Sequence, residues 1–179
     1  MSTRDLVCLV LALVAGGCAT APTVVETPNL GREATPAQIT GWDLSVGPDG
    51  VGLPPGRGTA AGGVAVYEQK CQGCHGAMGA GQPNDRLVGG QGTLASKTPV
   101  RTIGSYWPYA TTVFDYVRRA MPYTQSQSLT DDEVYAVTAY LLSLNGIIGE
   151  RDEMNAQTLP RVQMPNQANF IVVYPSRMK

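Results

Sequence analysis

Cys71-Gln72-Gly73-Cys74-His75 is the stretch on which the reading of this chain turns. Two thiols two residues apart can each form a thioether with a vinyl group of a porphyrin. The imidazole that follows them can take one axial position on its iron, so C-x-x-C-H reads as an attachment site for a c-type haem. His75 is the only histidine among the 179 residues, so no other imidazole competes for that position. Two other chemistries use similar spacing. A structural zinc site needs further Cys or His ligands downstream, and none follows His75. A thioredoxin-like dithiol needs a βαβ pattern nearby, and the flanks here are Gly-rich and helical in pattern.

Composition narrows the class. There are 13 Lys+Arg against 14 Asp+Glu, which leaves no basic field for nucleic acid. The 21 Gly and 13 Pro predict long ordered loops between few helices, not a dense sheet, so the fold expected is all-α. The other two cysteines belong to the N-terminus. Arg4 precedes a short apolar run, Leu6 to Ala15, which ends in Ala15-Gly16-Gly17-Cys18. Small residues before a Cys read as a lipoprotein-type signal over residues 1–17, with Cys18 as the lipid acceptor; ordinary cleavage near Ala19-Thr20-Ala21 is the rival. Either route exports the chain, and acylation would hold it at a bacterial membrane on the periplasmic side. Residues 18–40 are rich in Pro, Thr and Ala and read as a flexible tether.

From 41 to 179 the pattern is that of one domain with a helical core over about 59–148 and wrapping segments on either side. In the first wrap, Trp42, Leu44, Val46 and Leu53 are available to pin it to the core. Thr59 caps an expected helix from Ala60 to Lys70, and Gly63 within it marks the close approach of another helix. A second helix spans about Thr111 to Ala120, with Val113, Val117, Ala120 and Met121 on one face. Thr130-x-x-Glu133 is a capping box that opens a third helix, striped by Val134, Val137, Leu141, Leu144 and Ile148 and ended by Asn145-Gly146. The last thirty residues, with Pro160, Pro165 and Pro175, read as an extended wrap.

An iron that only carries electrons needs a sixth ligand. Met121-Pro122 is the candidate, since Pro122 stops the second helix and leaves Met121 on a turn. Met164-Pro165 is the competitor; Met78 lies too near His75, and Met154 sits in a polar stretch. His75 should donate its other ring N–H to an acceptor, expected in the loop at Arg86-Leu87-Val88-Gly89, where many small cytochromes carry Pro in place of Arg86. Arg118 and Arg119 flank Met121 and read either as propionate or docking contacts or as a solvated helix end. Trp107 and Tyr109 read as walls of the haem pocket.

Gly63-x-x-x-Tyr67, the C-x-x-C-H motif, a Met-Pro beyond it and Tyr140-Leu141 together resemble class I cytochrome c. Trp42-Asp43-Leu44-Ser45-Val46, Gly52-Leu53-Pro54-Pro55-Gly56, Gly104 to Ala110, Asp115 to Pro122 and Met164-Pro165-Asn166 are similar to the cytochrome c subunit of bacterial sulfite or sulfane dehydrogenases. The resemblance spans residues 41–171. It implies one covalently attached haem c on Cys71 and Cys74, with His75 and Met121 on the iron. It also implies a non-catalytic electron carrier, one that takes single electrons from a molybdenum sulfur-compound dehydrogenase and passes them to a respiratory acceptor. Larger members carry two haem domains, whereas this chain has a single C-x-x-C-H, so the alternatives are a general cytochrome c serving another periplasmic dehydrogenase and a haem enzyme or sensor with an open iron.

Overall fold

The computed structural model describes residues 30–171. The signal segment, Cys18 and the tether up to residue 29 lie outside them. The chain divides into two units, 1–38 and 39–179. Ahead of the core, Pro36–Trp42 forms a helix (α1) with no buried residue. The helix begins within the segment 18–40 expected to be a flexible tether. Thr35 and Gln38 form a reciprocal cap, the Gln38 amide donating to Thr35 Oγ1 and the Thr35 amide to Gln38 Oε1, with Pro36 at the first helical position. Trp42 closes that exposed helix and is itself 90% exposed, so it does not pin the wrap as expected. Val46 does, at 6% exposure, and Leu53 packs beside it against the core.

Beyond α1 the elements are a short strand Arg57–Thr59 (β1), helices Ala60–Lys70 (α2), Gln72–His75 (α3), Ala110–Ala120 (α4) and Asp131–Leu144 (α5), and a strand Glu153–Asn155 (β2). β1 and β2 pair antiparallel, with Gly58 opposite Met154. This two-strand ladder was not foreseen; the region around Met154 that looked polar buries that side chain to 4% exposure. The rest of the architecture is helical, as composition implied.

Local chemistry explains the main helix ends. Thr59 accepts the Gly62 amide and opens α2. Thr130 and Glu133 complete the capping box of α5, and Gly146 follows its end at φ +68°. The core is formed by the buried faces of α4 and α5. Val113, Phe114 and Val117 meet Val134, Val137, Leu141 and Leu142 in one cluster that includes Tyr67 from α2. Phe114 and Tyr135 lie with ring centroids 4.4 Å apart.

The crossing of α2 and α5 sets the frame. A methyl at Gly63 would stand 2.1 Å from the Ala136 carbonyl oxygen and 2.7 Å from Tyr140 Cβ, so only glycine lets the helices approach this closely. One turn on, the Tyr67 and Tyr140 rings pack at 5.4 Å. Gly63→Ala is expected to cost about 1–3 kcal/mol or more through overpacking. Gly62→Ala, whose new methyl would find nothing nearer than 3.5 Å, should be neutral or stabilising by up to about 1 kcal/mol. Thermal melts of the two variants against the parent check the contrast.

Tyr135 ties the first wrap to α5, its hydroxyl donating to the Pro54 carbonyl at 2.9 Å. Burial pushes its phenol up from 10 to about 12, with Asp131 adding to the rise and Arg118 opposing it. A folded pKa above the unfolded one gives stability that is complete below pH 10 and is lost as pH climbs toward about 12. Denaturant melts between these pH values should show stability falling, and falling less steeply in Tyr135→Phe.

Candidate functional site

Cys71 ends α2 and begins the motif turn. Its amide still donates to the Tyr67 carbonyl at 2.9 Å, and its own carbonyl accepts the His75 amide at 3.0 Å. The spacing therefore places Cys71, Cys74 and His75 at i, i+3 and i+4, on one face of a single turn. Cys71 is half-buried and Cys74 exposed, and the two are not joined as a disulfide. Burial, with Cys74 adding, pushes the Cys71 thiol up to about 11. A thioredoxin-like dithiol needs a βαβ unit, whereas this motif lies between helices and the described strands form only a two-strand antiparallel ladder, so that alternative does not fit. Nor does zinc: among the described residues no three His, Cys, Asp or Glu side chains converge as metal ligands.

His75 Nδ1 lies 2.8 Å from the Asp85 backbone carbonyl. A carbonyl only accepts, so Nδ1 carries the proton and Nε2 keeps its lone pair for a metal. The acceptor was expected in the loop Arg86-Leu87-Val88-Gly89; it lies at Asp85, one residue ahead of that loop. A main-chain oxygen has no side-chain signature, which is why the sequence did not single out Asp85. The loop that delivers it is held by Asn145, which was read only as a helix terminator. Asn145 Nδ2 donates to the Leu87 carbonyl at 3.2 Å, and its Oδ1 accepts the Gly89 amide at 3.1 Å.

The remaining candidates separate. Met121 caps α4 in extended geometry (φ −117°, ψ 147°), its amide donating to the Val117 carbonyl, and its side chain is half-buried against the core. The Met121–Pro122 peptide is cis. Met164, the competitor, is enclosed by protein at 4% exposure. Met78 is 64% exposed. Trp107 is half-buried against the core, with its ring 5.8 Å from that of Tyr116. Tyr109 is the residue preceding α4, and its carbonyl accepts the Thr112 hydroxyl at 2.8 Å.

Arg118 is committed within the chain. Its Nε pairs with Asp131 at 3.0 Å and its Nη1 donates to the Leu44 carbonyl at 3.3 Å. Arg119 pairs with Asp115, whose Oδ1 also takes the Val46 amide at 2.9 Å. Arg118 thus joins the first wrap to the start of α5, and Arg119 holds the carboxylate that takes the wrap's Val46 amide. An open groove of about 400 Å³, bordered by Leu94, Arg101, Tyr106 and Phe170, contains none of the motif residues.

The donor set suits a c-type haem. It offers two unpaired thiols and one imidazole with a bare Nε2 on a single turn, and a half-buried thioether at a helix end. Comparison with known proteins agrees. The family described as cytochrome c oxidase, cbb3-type, subunit III, matches residues 58–141. Among solved structures, a chain of the sulfane dehydrogenase SoxCD from Paracoccus pantotrophus is 43% identical, with a TM-score of 0.77. That match covers 84% of this chain and 73% of the other. No curated protein matches.

A double-mutant cycle tests the bracing role of Arg118. Arg118→Ala and Asp131→Ala should each cost stability and show a coupling of about 0.5–1 kcal/mol, the scale of a partly exposed pair. A coupling near zero in urea melts would leave the guanidinium available to another partner.

Proposed function

We propose, for a chain that belongs to the class I cytochrome c family, that Cys71 and Cys74 attach one haem c and that His75 and Met121 hold its iron. Membership makes the protein an electron-transfer cytochrome, implies covalently bound haem c and implies redox partner proteins. The observation that carries the assignment to these residues is the Nδ1–carbonyl bond of 2.8 Å, which aims the only imidazole in the chain and fixes its tautomer.

When bound, the group supplies a one-electron couple; the chain supplies its surroundings. The Asp85 carbonyl holds the ring proton of His75 on Nδ1 and so orients the ring with Nε2 as the donor to iron. Met121 is favoured over Met164 because a thioether enclosed by protein has no face left for iron, whereas the half-buried Met121 keeps one. Held by His75 and Met121, the iron would have a raised potential and no protein-free position for substrate, which supports a carrier and not a catalyst. Trp107 fits the role of an apolar pocket wall. Tyr109 serves through its backbone at the start of α4. Arg118 braces the fold through Asp131 and the Leu44 carbonyl.

The partners follow from the relatives. Likeness to a chain of a sulfane dehydrogenase supports electrons arriving from a sulfur-compound dehydrogenase, of the molybdenum type that the sequence resemblance implies, and leaving to a respiratory acceptor. The apolar run before Cys18 supports export to the periplasm with a lipid anchor on that cysteine. Among the described residues no helix is long and apolar enough to cross a membrane.

Two measurements on the purified protein test the assignment. Acid acetone should leave the haem on the chain; haem in the solvent phase would exclude thioether linkage. Met121→Ala should abolish the near-infrared methionine–iron band and lower the midpoint potential. If both survive, Met121 is not the ligand, and the same pair of readouts applies to Met164→Ala.

A further inference from the structure

The motif turn ends in three successive carbonyls that the helix itself does not satisfy. Loop amides take two of them: Asn84 donates to the Cys74 carbonyl at 2.9 Å and Gly81 to the His75 carbonyl at 2.7 Å. The third, Gly76, is different. It receives a weak bond from the Gly79 amide at 3.3 Å, and a shorter one, 2.8 Å, from the hydroxyl of Tyr67. Tyr67 stands on α2, nine residues back, and is fully enclosed at 0% exposure.

We infer that Tyr67 is a positioning residue for His75: its hydroxyl clamps the Gly76 carbonyl and so transmits the rigid α2–α5 crossing to the axial histidine. The geometry gives the clamp little slack. Gly76 sits at φ +73°, and a methyl there would stand 2.4 Å from the Gly81 carbonyl oxygen, so the backbone after His75 has no room to shift toward the loop. On its other side the Tyr67 ring is held against Tyr140 at 5.4 Å. The hydroxyl and the Asp85 carbonyl therefore fix His75 from two directions, one through its backbone and one through its ring. Burial pushes the phenol up to about 12, with the Gly79 amide pulling the other way, so it remains a donor at neutral pH.

The inference rests on the haem assignment above, and the experiment separates the two. Tyr67→Phe keeps the ring packing and removes only the donor. Tyr135→Phe is the matched control: an equally enclosed tyrosine whose hydroxyl also meets a backbone carbonyl, that of Pro54, away from the motif. Both holoproteins should unfold at lower temperature. Only Tyr67→Phe should shift the midpoint potential and move the paramagnetically shifted proton resonances of His75. A wild type that retains its haem in acid acetone, with neither readout moved by Tyr67→Phe or with both moved equally by Tyr135→Phe, overturns the positioning role alone. A wild type that releases its haem overturns the assignment and the positioning role together.

Discussion

At Gly63 the backbone of α2 lies against α5 with no space for a single methyl, the Ala136 carbonyl being 2.1 Å from where that carbon would sit. The other landmarks follow from this contact. It brings Tyr67 beside Tyr140, closes the cluster built on Val134, Val137 and Leu141, and sets the direction in which α2 hands the chain to Cys71. Close-packed interiors do not deform smoothly, so a crossing this tight gives the motif a rigid base.

From that base the turn carrying Cys71, Cys74 and His75 is fastened at several points. The His75 ring is held by the Asp85 carbonyl, and the carbonyls at its end are taken by Gly81, Asn84 and Tyr67. Asn145 at the end of α5 holds the loop that follows Asp85. The same long helix thus supports the site twice, once through Gly63 and once through Asn145. Preorganisation of this kind suits electron transfer, because a ligand held in place needs little rearrangement when the charge on the iron changes.

Around this frame the charged residues brace the wraps. Asp115 takes the Val46 amide and is held in turn by Arg119; Arg118 joins Asp131 to the Leu44 carbonyl; Asp132 accepts the Arg57 amide at 2.8 Å. Each bond satisfies backbone or charge that a loop-rich chain would otherwise leave unpaired. The Gly and Pro content that forbids long helices before residue 59 therefore yields ordered structure, and the two arginines, open to reading as propionate or docking contacts or as a solvated helix end, pair with carboxylates of the chain.

Much of this was legible along the chain. Ala60–Lys70 and Asp131–Leu144 announced themselves through Thr59, the Thr130–Glu133 box and apolar periodicity, all of which act within a turn or two. The motif announced the cofactor because thiols and imidazole at fixed spacing are chemistry written locally. What escaped depended on distant pairings or on atoms without a side-chain signature. The acceptor for His75 is a main-chain oxygen, Arg118 is claimed by Asp131 thirteen residues on, β1 and β2 pair across the whole core, and Trp42 is left exposed because α1 buries nothing. The sequence by itself determined the C-x-x-C-H turn and the main helices, because those rest on neighbours in the chain. Only the tertiary structure decided how His75 is aimed and which charges were already spent, because those rest on which carbonyl or carboxylate folding brings within about 3 Å.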